Sequence, residues 1–291
     1  MEVPYVSKSF INRVFERMRD AERTNRPLDR VDKAAQLVHW MSAVTIEIAQ
    51  YFLGAICNEA EKAMRGEFSR GQVEFVWVAF RLSVVVVMEM KRKGFETDNY
   101  AQLMGELQAA AFTNAGSRCP VDVVRGMMAN KDGWIFMDYD VQANAFAVST
   151  TLAIDMHNED LTIENRIVGM RLMWQMFLHG YVMQIEEDLK ANLPKPGQKR
   201  KAEPSVETLE KNLINRRTSA AKWQRVAALA LQAKNSANTA ESDKEFEATM
   251  ALLHQSIEAV PEHYAKPFDV YAACKEREAD SEALLKKRKF I

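Results

Sequence analysis

The 291 residues could form one large domain or two ordinary ones, and 47% hydrophobic with 27% charged residues is a globular composition able to bury a core without cross-links. Three scattered cysteines (Cys57, Cys119 and Cys274), with no Cys-x-x-Cys, argue against a disulfide framework and favour a reducing compartment. The net charge of −1 hides a polarity: residues 1–189 sum to −6 and residues 190–291 to +5, and residues 190–234 alone carry 11 basic and 3 acidic groups, a pattern that suits an acidic partner.

In chain order, the start is charged and has no apolar segment of the signal-peptide kind, so an intracellular chain is expected, in cytoplasm or nucleus. Ser7 or Ser9 opens a first helix. Phe10, Val14 and Met18 recur at four-residue steps, with Arg13, Arg17 and Arg19 among them. Thr24 to Asp29 breaks the pattern with a proline, and Asp29 or Asp32 can cap a second helix from about Val31 to Met64. Its face is Leu37, Met41, Val44, Ile48, Phe52 and Ile56. Ser69 can cap a third helix that runs into Lys91, Arg92, Lys93 and Gly94, cations and a glycine where a helix C-terminus favours them. Val84 to Val87 is β-branched and makes a buried strand the alternative there.

Thr97 or Asp98 opens the next helix. Residues 121–134 read as a short helix with a turn at Lys131 to Gly133, and residues 141–154 fit either helix or strand, with helix preferred. A long helix begins near Thr162 and is apolar nearly all round from Met170 to Ile185, which makes it the central one. Neither that stretch nor Phe75 to Met88, which Arg81 interrupts, reaches the roughly 20 apolar residues of a membrane span. Pro194, Pro196, Gly197 and Pro204 then forbid a continuous helix. Alanine-rich, more charged helices follow. The expected architecture is all-α: a helical core domain over 1–190, a basic linker over 191–204 and a smaller helical bundle or arm over 205–291.

Local motifs of catalysis are missing. No histidine stands three residues after a glutamate, no His-x-x-x-His pair or Gly-x-Ser-x-Gly elbow occurs, and Gln72 replaces the lysine that a phosphate loop needs after Gly66 and Gly71. No cofactor or metal is expected. The acids Asp138, Asp140, Asp155, Glu159 and Asp160 leave open a dispersed carboxylate site, although charges at a helix start explain the last three more simply. His179 reads as a core histidine, and the methionine-rich faces read as core or, alternatively, as an adaptor's protein-binding surface.

The basic segment is the most informative feature. Lys195, Lys199, Arg200 and Lys201 lie in the linker, and Arg216, Arg217, Lys222 and Arg225 follow on helix with Trp223 among them. Cations neutralise phosphates, and an exposed tryptophan stacks on a base. Arg13 and Arg17 extend the candidate surface. The leading expectation is therefore a non-enzymatic, self-associating protein that binds nucleic acid, RNA foremost, in the manner of a nucleocapsid or coat protein. The alternative for the clusters at Lys199–Lys201 and Lys286–Lys289 is nuclear targeting.

Overall fold

Ser7 starts the first helix, α1 (Lys8–Thr24): its hydroxyl accepts the Phe10 N–H at 3.2 Å, and Phe10, Val14 and Met18 bury the expected stripe. The computed structural model describes residues 3–25, 34–59, 62–65, 70–80, 83–91, 94–116, 121–154, 159–192 and 206–261. The second helix, α2 (Ala34–Gln50), is shorter than its apolar spacing implies. Leu53 and Gly54 turn the chain through left-handed backbone (φ 46° and 81°) and deliver it to a strand, β1 (Ile56–Asn58). Phe52 and Ile56 keep the four-residue spacing, but one sits in the turn and the other on the strand; the proposed N-caps Asp29 and Asp32 lie outside the described residues.

The expected third helix is instead β-structure, which overturns the all-α reading. Strands β2 (Lys62–Arg65) and β3 (Arg70–Val73) form a hairpin, and β4 (Phe75–Ala79) and β5 (Ser83–Met90) form a second one. Every residue of β4 and β5 is buried. A strand covered on both faces loses the alternation of apolar and polar residues, so periodicity cannot tell it from a buried helix. The β-branched run is the telling signal. Val78 pairs with Val84 and Trp77 with Val86, so Val85 is the extra residue of a bulge.

A helix, α3 (Thr97–Ala115), opens where expected and carries the chain over to β6 (Val123–Asn130), which lies parallel to β5. The turn at Lys131 and Asp132 is also where expected, but it joins two strands, β6 and β7 (Gly133–Asp140), not helices. Residues 141–154 likewise adopt strand: β8 (Ala145–Val148) and β9 (Leu152–Ala153) both pair with β7. The Tyr139 and Phe146 rings stack across that pairing at 4.6 Å, a contact available to neighbouring strands. The result is a seven-stranded mixed sheet, in the order β1-β4-β5-β6-β7-β8 with β9 beside β7.

The long helix α4 (Glu159–Asn192) is central, as its all-round apolar character implies. Met173, Trp174, Phe177 and Tyr181 are all buried within it. At Gly169 a Cβ would come within 1.9 Å of the Trp134 ring, so glycine is what lets the helix lie that close to the sheet. Two further helices, α5 (Val206–Thr239) and α6 (Asp243–Glu258), complete the described chain. One apolar cluster joins the sheet to α4, α2, α1, α5 and α6; another, on the opposite face, joins it to α3 and the β2–β3 hairpin. Side chains from both sides of residues 193–205 thus meet in one core: Trp174 contacts Phe246 at 5.4 Å, and the Tyr181 and Ser256 hydroxyls lie 2.9 Å apart. Among the described residues no helix is long and apolar enough to cross a membrane.

Candidate functional site

Lys195, Lys199, Arg200 and Lys201, and the cluster Lys286–Lys289, lie outside the described residues. Arg216 and Arg217 are on α5, and so are Lys222 and Arg225, whose side chains are exposed. Trp223 stands between these last two in sequence but turns the other way. Its side chain is 0% exposed and packs in the core with Val226 and Ala230, so it offers no ring face to a base. Helical geometry separates the three: positions one and two residues away point to different sides. Arg13 and Arg17 serve the α1–α2 seam. Arg13 Nε donates to Glu47 Oε1 at 2.9 Å and stacks over Tyr51, while Arg17 Nε lies 3.8 Å from Glu47 Oε2 and lines an open groove of about 360 Å³ with His39. Glu47 is buried, so these two cations neutralise it and have less charge to offer a phosphate.

Among the described residues, the acids of the 138–160 region form no group placed to hold a metal ion. Asp138 faces Arg125 at 3.6 Å; burial pushes its carboxyl up and Arg125 draws it back down. Arg125 also donates to the Met183 sulfur at 3.4 Å. Asp140 accepts the Ala143 N–H at 2.8 Å and so shapes the turn before β8. Glu159 and Asp160 stand in the first turn of α4, where the helix dipole favours them, and Asp155 lies outside the described residues. His179 is held neutral, its pKa lowered to about 3 by burial and then by Arg125 and Lys234, as a core histidine would be.

A different group of acids does come together. Glu74, between β3 and β4, and Glu89, on β5, meet Gln102 and Glu106 of α3 and Lys91 just beyond β5. Glu89 Oε1 accepts from Lys91 Nζ at 2.8 Å and from Gln102 Nε2 at 2.7 Å. Gln102 Nε2 also reaches Glu106 Oε1 at 2.7 Å, and its Oε1 accepts from Lys91. Burial, followed by the neighbouring Glu89, pushes Glu74 up to about 8 and Glu106 up to about 7. Burial first, and Glu89 beside it, keep a proton on Glu74 at neutral pH. The arrangement can hold and exchange protons near neutrality; among the described residues no group of three or more metal-ligating side chains is placed to hold an ion. In the sequence, the signal is one glutamate inside the run from Val84 to Met90, an acid that a strand buried on both faces must pair or protonate. Read as helix, the same segment puts Lys91 at a helix end and hides the pairing.

Comparison with family models, with curated proteins and with solved structures finds no match for this chain.

Proposed function

We propose that this is an intracellular, self-associating nucleic-acid-binding protein, without catalytic activity, that contacts phosphates through its basic segment. The observation that carries the reading is the separation of charge: residues 190–234 hold 11 cations against 3 acids, on a chain whose first 189 residues are net negative. The exposure of Lys222 and Arg225 on α5 supports it. The phosphate-binding residues are Lys195, Lys199, Arg200, Lys201, Arg216, Arg217, Lys222 and Arg225. Glu47 offsets one of the two charges of Arg13 and Arg17, which stand at the margin of this set with their side chains partly exposed, and the burial of Trp223 argues against base stacking. What remains neutralises phosphates and reads no bases, so binding is expected to tolerate many sequences, with RNA the foremost ligand.

The test is salt dependence. Replacing Lys199, Arg200, Lys201, Arg216 and Arg217 with glutamine should weaken binding to unrelated RNA oligonucleotides alike. For every cation–phosphate pair removed, the slope of log affinity against log salt should flatten by roughly one. Equal affinity and slope in variant and parent would reject the reading, and nuclear targeting of a reporter fused to residues 192–205 would then be the next experiment.

A further inference from the structure

The sheet ends on β8, a four-residue edge strand that carries no charge or proline to keep another edge away. From Ala143 to Ala153 there is no charged residue, no proline and no glycine. The neighbouring stretch on the same side of β7 is closed: α4 packs on β9, and Asn165 Nδ2 donates to the Ala153 carbonyl at 2.7 Å. Among the described residues β8 has no such cover, and Ala145, Ala147 and Val148 are exposed. The Ser149 N–H bonds the Phe136 carbonyl at 2.9 Å, which fixes residue 149 as one that faces β7. By the alternation of an antiparallel ladder, Ala145 and Ala147 face β7 too, and the N–H and C=O groups of Phe146 and Val148 point away from it. Among the described residues no donor or acceptor meets those outward groups.

We infer that β8 pairs antiparallel with β8 of a second copy of this chain, about a twofold axis at Ala147. In that register Phe146 of each copy lies opposite Val148 of the other, and their outward N–H and C=O groups close four main-chain hydrogen bonds. Phe146 and Val148 share one face of the strand, so each crossing is a pairing of an aromatic with a β-branched side chain, the kind that stabilises sheets. On the other face Ala145 and Ala147 leave room for the approach. No like charges meet: residues 143–153 carry none, and Asp138 and Asp140 stand on β7, one strand behind the edge. A charged peptide would gain nothing from this neutral strand, whereas the strand matches itself. Because the same edge is used by both copies, the contact consumes it and closes at a dimer. The inference rests on the self-association half of the reading above and supplies its surface.

The experiment uses the full chain, treated with nuclease and held at high salt so that nucleic acid cannot bridge copies. Sedimentation should give a dimer. Val148→Lys places a charge in the pairing, and Val148→Pro deletes an outward N–H without touching a bond to β7; both should give monomers that keep the parent's circular dichroism spectrum and melt cooperatively, at or below the parent's midpoint. Across the axis the two Ala147 residues form a non-hydrogen-bonded pair, with Cα atoms about 4.5 Å apart, a separation a disulfide can span. Oxidised Ala147→Cys should therefore run as a covalent dimer, while Ala145→Cys and the parent should not. A monomeric parent, or a dimer that survives Val148→Lys and does not cross-link through position 147, overturns the proposal. Neither result bears on the salt slope of RNA binding, so the two readings fail separately.

Discussion

Single residues in this fold set opposing responses to pH. Glu106 titrates near 4.5 when unfolded and is pushed up to about 7 when folded, first by burial and then by Glu89. The folded state therefore holds the extra proton between those values. The stability Glu106 contributes is complete below about pH 4.5 and is lost as pH rises through about 7. Glu74, raised to about 8, acts in the same direction. His179 acts in the other: its pKa falls from 6.5 to about 3, so its contribution is present above 6.5 and is lost as pH drops toward 3. A wild-type profile mixes these terms, and variants separate them. Relative to Glu106→Gln, wild type should lose roughly 2–3 kcal/mol of stability between pH 5 and pH 8, read from urea midpoints at each pH. Relative to His179→Leu, it should lose stability in the opposite direction, from pH 6.5 downward. A flat difference for Glu106→Gln would mean that its carboxyl is ionised in the fold as in water.

Elements are held to one another by a few polar clamps, of which Asn114 is the clearest. The pairing of β5 with β6 begins only at Val86, so at Val84 the ladder lacks a neighbour on that side. Asn114, on the last turn of α3, takes the place of a strand: its Oδ1 accepts the Val84 N–H and its Nδ2 donates to the Val84 carbonyl, both at 2.7 Å and both buried. Asn114→Leu would strand two buried backbone groups at about 1–3 kcal/mol each, less the gain from burying a leucine there. A net loss of about 2–4 kcal/mol is expected, with Asn114→Asp, which keeps one of the two bonds, in between. Denaturant unfolding checks this; a loss within error of zero would show that water satisfies Val84. This clamp is not legible in the sequence, because it joins a helix end to a strand whose residue pattern reads as helix. The helices α1 and α3, and the central place of α4, are legible from a serine cap, helix-start residues and apolar spacing. Strands β4 to β7 are hidden because cover on both faces removes their alternation. The basic segment stands out by composition alone, whereas the carboxyl cluster depends on residues 74, 89 and 106 meeting through the sheet. Trp223 illustrates the limit at one position: cations on either side of it along the chain say nothing about which way an indole turns on a helix.

Across the whole molecule, the question is whether the chain on the two sides of residues 193–205 behaves as one body. Trp223, Val226, Ala230, Phe246, Met250 and Leu253 of α5 and α6 lie in the same apolar cluster as Phe10 and Val14 of α1 and Trp174 and Tyr181 of α4. Burying a large apolar side chain stabilises by about 1.5–3 kcal/mol, so Trp223, Phe246, Met250 and Leu253 together contribute roughly 6–12 kcal/mol, an upper figure because an unfolded chain already hides some of that surface. Polar ties add direction: Tyr5 donates to Asp243 at 2.6 Å, and Ser256 both meets Tyr181 and donates to the Val226 carbonyl at 2.9 Å. Pro194, Pro196, Gly197 and Pro204, with lysines and arginines between them, should make residues 192–204 the first internal site for trypsin. Cutting the chain there converts folding energy into association energy, and the cost of holding two free pieces together is about 4–15 kcal/mol. The rest of the shared cluster, beyond those four side chains, tips the balance toward association. The nicked protein should therefore elute from a sizing column as one species with the parent's elution volume and come apart only in denaturant. Trp223→Ala, at a cost of about 3–5 kcal/mol, should lower the denaturant concentration at which the pieces part. Nicked pieces that separate in native buffer, each keeping its helical signal, would mean that the two sides fold alone and that the shared core contributes little. Cuts that fall first within 31–190 would instead place the most open backbone inside the sheet-bearing part of the chain.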